Sequence, residues 1–85
     1  MSNFWVAKGF EEISTGGGYV GYYKSLNDKG AHILVTKSED ETALPNQHDK
    51  CDVSFNDEDG HQERYYWGIA NSHRAIAWIE QQCAF

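Results

Sequence analysis

Two polar tetrapeptides that end in glycine, Asn27-Asp28-Lys29-Gly30 and Asp57-Glu58-Asp59-Gly60, each stand between runs of β-forming residues. Asn and Asp side chains hydrogen-bond the backbone of a turn, and glycine takes the positive φ that tight turns require. Each tetrapeptide therefore predicts a hairpin. The first joins a strand over 19–26 to one over 31–37. Val20, Tyr22 and Leu26 share one face of the first strand, and Tyr19, Gly21, Tyr23 and Ser25 the other. In the second strand Ile33 and Val35 alternate with His32, Leu34 and Thr36. The second hairpin joins 51–56, where Val53 and Phe55 alternate, to 61–67, where Glu63, Tyr65 and Trp67 oppose Arg64 and Tyr66.

A small sheet cannot leave its apolar face in water, so it needs a cover. The sequence offers one. Asn71 and Ser72 are both good N-caps, and Ala75, Ile76, Ile79 and Cys83 then recur at helical spacing with Trp78 beside them. Residues 4–13 fit two patterns: alternation through Phe4, Val6 and Phe10, or a short helix through Val6, Phe10 and Ile13. Gly9 and the aromatic residues favour the strand. Ser14-Thr15-Gly16-Gly17-Gly18 reads as a turn, and residues 38–50, with the sole proline, Pro45, as a polar loop. The expected fold is α+β: a four- to five-stranded antiparallel meander covered by one C-terminal α-helix, in a single domain over 1–85.

Composition agrees with one small core. Of 85 residues 40% are hydrophobic, too many for a disordered chain, and no apolar run approaches the roughly 20 residues of a membrane span. The start lacks the basic and apolar regions of a signal peptide, and two cysteines are too few for a disulfide scaffold. The expected compartment is the cytoplasm, with no membrane partner. Net charge is −6, and it is unevenly placed. Between residues 38 and 63 stand Glu39, Asp40, Glu41, Asp49, Asp52, Asp57, Glu58, Asp59 and Glu63, against the single base Lys50. A chain of this sign does not grip phosphate backbones through a general basic surface, so direct nucleic-acid binding is not expected.

Several patterns resemble chemical sites, and each has a plainer reading. Gly16-Gly17-Gly18 precedes a strand, not the Lys-Ser/Thr and helix of a phosphate cradle. His48 and Cys51, with His61 further on, supply zinc donors but no second tight pair. Asp57, Asp59 and Gly60 resemble part of a calcium loop whose bidentate Glu is replaced by Tyr66. No local motif orients Cys51, Ser72 or a histidine for catalysis. The expectation is therefore no enzyme, no metal and no cofactor.

The aromatic residues exceed what one small core needs. Neighbouring residues of a strand point to opposite faces, so one of Tyr22 and Tyr23, and one of Tyr65 and Tyr66, must lie away from the covered face. Together with the acidic run, this predicts a protein-binding module: an inhibitor or adaptor that docks on a larger basic protein or protein complex, for which nucleic-acid-handling proteins are natural candidates. The residues expected to meet that partner are Glu39, Asp40, Glu41, Asp57, Glu58, Asp59, Tyr23 and Tyr66. In size, acidity and lack of motifs the chain is similar to small phage and mobile-element inhibitors such as anti-CRISPR and anti-restriction proteins. The likeness implies occupation of a basic channel. Two other readings stand beside it: single-stranded nucleic-acid binding through exposed strand aromatics, and a homodimeric assembly subunit paired at an edge strand or aromatic face.

Overall fold

The two turn tetrapeptides do form hairpins, and each is closed by its own first side chain. Asn27 Oδ1 accepts the amides of Lys29 at 2.8 Å and Ala31 at 3.3 Å. Asp57 Oδ1 accepts those of Asp59 at 2.9 Å and His61 at 2.8 Å. The computed structural model describes residues 4–40, 42–45 and 48–83, with the side chains of Thr15 and Cys83 outside that description. Its strands are β1 (Glu11–Gly16), β2 (Tyr19–Ser25), β3 (His32–Lys37), β4 (Cys51–Asn56) and β5 (Gln62–Ile69). They form one antiparallel sheet in the order β1-β2-β3-β4-β5, a meander with β1 and β5 as its edges. A C-terminal helix (Ser72–Cys83) completes the α+β fold that the sequence predicts.

The start of the chain departs from expectation. Phe4–Ala7 is one helical turn, α1, which makes the C-terminal helix α2. β1 begins only at Glu11. Neither sequence pattern describes this segment, because Val6 lies in solvent and Trp5 is buried. The reason is tertiary. The Trp5 indole lies 5.0 Å from the Phe10 ring and 6.2 Å from Tyr22, and its Nε1–H donates to Ser72 Oγ at 2.9 Å. Phe4 also packs against the His73 ring, centroids 4.6 Å apart and planes tilted by 47°. The sheet thus has two covers on one face: α1 with Phe10 over the β1–β2 side, and α2 over β4 and β5.

Between sheet and covers lies one hydrophobic cluster, including Tyr22, Ile33, Val35, Val53, Phe55, Ile76 and Ile79. Asn71 caps α2 as expected, its Oδ1 accepting the Arg74 amide at 3.0 Å. Ala75, Ile76 and Ile79 are buried, and Trp78 packs on Phe55 at 5.2 Å. The Gly16-Gly17-Gly18 run is explained by backbone conformation. All three residues have positive φ, and the β1–β2 register shifts between Ser14 and Gly16.

Candidate binding face

The sheet face opposite the helices is open. One register row crosses it from edge to edge: Glu11, Tyr23, Leu34, Ser54 and Tyr65. Tyr23 stacks on His32 with centroids 5.0 Å apart, and His32 Nδ1 lies 2.8 Å from the Gly30 carbonyl. At the β5 edge Tyr65 meets Trp67 edge to face at 5.2 Å. Trp67 is 74% exposed and Tyr65 37%. Single exposed aromatic residues are ordinary, but two in contact on an open face form an anchor of the kind found at interfaces.

A β-bulge sets Trp67 out. Cys51 pairs with Ile69 and Val53 with Tyr66, so Trp67 and Gly68 together oppose the single residue Asp52. Gly68 takes φ of 62°, where an L side chain is strained. Its amide leaves the ladder and donates to Asp52 Oδ1 at 2.8 Å. A second shift, between Phe55 and Asn56, inserts Glu63 into β5. Edge strands with bulges resist pairing with another sheet, and here both edges carry them.

The outward positions of the strands hold Glu11 and Asp52 and, among the described residues, no Lys or Arg. Lys24 belongs to the covered face, where its Nζ donates to the Lys8 carbonyl at 3.1 Å. Arg64 also points to the helix side, with Cζ 4.5 Å above the Phe55 ring and Nη1 donating to Gln82 Oε1 at 2.6 Å.

The expected site residues are distributed in a way that linear reading did not foresee. Glu39 and Asp40 lie after β3, at one end of the sheet; Asp57, Glu58 and Asp59 lie after β4, at the other. A six-residue strand separates them, about 17–20 Å. The acidic run is therefore two clusters bracketing the sheet, not one margin. Glu41 lies outside the described residues. Glu39 has φ of 68°, and Thr42 donates its hydroxyl and amide to Asp40 Oδ1, which holds that carboxyl below its ordinary range. At the far end Asn27 Nδ2 donates to Glu58 Oε1 at 3.3 Å, tying the two turns together.

Tyr23 lies on the open face, but Tyr66 does not. Tyr66 pairs with Val53, on the covered side, and packs on Trp78 at 5.3 Å while remaining 49% exposed. Its place on the open face is taken by Tyr65, together with Trp67, neither of them expected as a site residue. The alternation in 61–67 separated these residues correctly. Which set would face α2 depended on the register with β4.

The candidate metal ligands separate as well. His48 and Cys51 stand at the β3–β4 loop end, His61 at the opposite end, and the Cys51 thiol faces the core. Burial, with Asp52 and Asp49 nearby, pushes that thiol up to about 12. Asp57, Asp59 and His61 bring one donor atom each within 4.8 Å of one another. Asp57 Oδ1 already accepts two amides there, and its Oδ2 faces His61 Nδ1 at 3.7 Å. These groups close a turn. No helix among the described residues is long and apolar enough to cross a membrane. Comparison of the chain with protein-family models, curated proteins and solved structures finds no match.

Proposed function

We propose that this chain is a protein-binding module that docks its open sheet face on a larger basic protein, acting as an inhibitor or adaptor. The observation that carries the reading is the face itself. It combines Tyr23, Leu34, Tyr65 and the extruded Trp67 with Glu11 and Asp52, and no strand presents a cation there. Aromatic rings supply desolvated contact, and the acidic clusters at both ends of the sheet steer a positive partner onto it. A phosphate backbone would meet carboxylates where it needs Lys or Arg. Occupation of a basic surface would block that partner's own anionic ligand, which is how such a module inhibits.

The test is capture from host lysate with the parent chain and with the Trp67→Ser, Tyr65→Ser double variant. The reading expects basic proteins retained by the parent and lost by the variant. Equal retention by both would overturn it. A mobility shift with single-stranded DNA or RNA at low salt, abolished in the same variant, would replace it with nucleic-acid binding.

A further inference from the structure

We infer that the corner formed by Trp67 and Asp52 receives an arginine side chain of the partner, its guanidinium laid on the indole and paired with the carboxylate. The inference rests on the docking reading and specifies what the face recognises. Its basis is the bulge. Asp52 Oδ1 is fixed at 2.8 Å from the Gly68 amide, one peptide unit from Trp67, so the carboxylate and the indole are held at the same corner. Asp52 is paired with Thr36 across β3 and β4 and lies on the open face, with no ion pair to Lys or Arg among the described residues. Lys37, the cation at the end of β3, is paired with Asp49 at 3.7 Å. The indole is 74% exposed, and the Tyr65 ring meets it edge to face at 5.2 Å.

An aromatic face and a fixed carboxylate together select a planar cation. A guanidinium stacks on an indole and presents its N–H fork to a carboxylate at its edge, whereas an ammonium offers only a point charge. The negative ends of the sheet add to the potential at this corner, because Asp52 and Trp67 stand toward the end that carries Glu39 and Asp40.

The experiment is a heteronuclear NMR titration of the whole ¹⁵N-labelled chain at low salt. The probes are capped peptides of glycine alternating with arginine, with lysine or with glutamate. The arginine peptide should move the Trp67 indole N–H and the Gly68 amide saturably, and more tightly than the lysine peptide. Asp52→Asn keeps an oxygen for the Gly68 amide but removes the charge. It should weaken the arginine peptide about two- to fivefold, the range of an exposed ion pair. Trp67→Ala should abolish the response at Gly68, and Trp67→Phe should retain part of it. If basic peptides move other open-face amides but leave Trp67 unmoved, or Asp52→Asn binds as the parent does, the arginine corner is wrong and the docking face stands. If no basic peptide moves any open-face resonance, the docking reading falls with it.

Discussion

Cys51 shows how completely its surroundings set a side chain's chemistry. Its thiol is buried, and the folded chain holds its proton up to about 12 where an ordinary thiol releases it near 9.0. Below pH 9.0 the thiol is neutral in both states and makes no difference. Above that the unfolded chain ionises first, so stability should fall between pH 9.0 and about 12. Cys51→Ala should show a shallower fall over this window in denaturant titrations. A parent and variant with parallel slopes would contradict the assignment. The same burial should protect Cys51 from alkylation at pH 8 until the chain unfolds, read by mass spectrometry of its peptide. Gly21 is the opposite case, a residue defined by what it leaves out. A Cβ there would lie 2.9 Å from the Val35 carbonyl oxygen, with Leu34 and Thr36 packed close beside it. Gly21→Ala should cost about 1–3 kcal/mol, the usual penalty for overpacking, measured by urea denaturation.

Among the elements, α2 is where sequence and structure agree most closely. Its cap and its apolar stripe follow from residues close together in the chain, and the stripe covers the sheet as expected, over β4 and β5. Ile79→Ala should cost about 2–5 kcal/mol as an emptied core site, and Asn71→Ala about 1 kcal/mol as a lost cap. A loss below half a kcal/mol for Ile79→Ala would mean that the helix is not docked as described. The hairpins were legible for the same local reason: Asn27 and Asp57 close their own turns. α1 was not legible, because what buries Trp5 includes Ser72, far away in the chain. The bulges of β5 were hidden too. Alternation assumes one residue per step, and Trp67 and Gly68 share a single step opposite Asp52. Gly68 was the available signal, a glycine inside a strand pattern. Tyr66 was expected at the site for a different reason: alternation separates it from Tyr65 and Trp67, but which set faces α2 follows only from the register with β4.

Across the whole molecule, the meander turns a run of acids into two poles. Successive turns of a meander fall at alternate ends of the sheet, so residues 39–40 and 57–59 bracket the face from opposite sides. Each pole should contribute separately to encounter with a basic partner. Glu39→Gln with Asp40→Asn, or Glu58→Gln with Asp59→Asn, should slow association while changing dissociation and the melting temperature little. Combining the two pairs should slow it further, and the difference from the parent should shrink as salt is raised. Asp57 is best left intact in such variants, since its carboxylate holds the turn.

Trp67 and Tyr66 provide the most direct comparison, because both side chains reach solvent from the same strand but on opposite faces of the sheet. The dissociation constant of the captured partner should rise at least about tenfold for Trp67→Ser, the size of an interface anchor, and stay within about twofold for Tyr66→Ser. The reverse order, with Tyr66 the sensitive position, would place the contact on the helix side and contradict the open face as the docking surface.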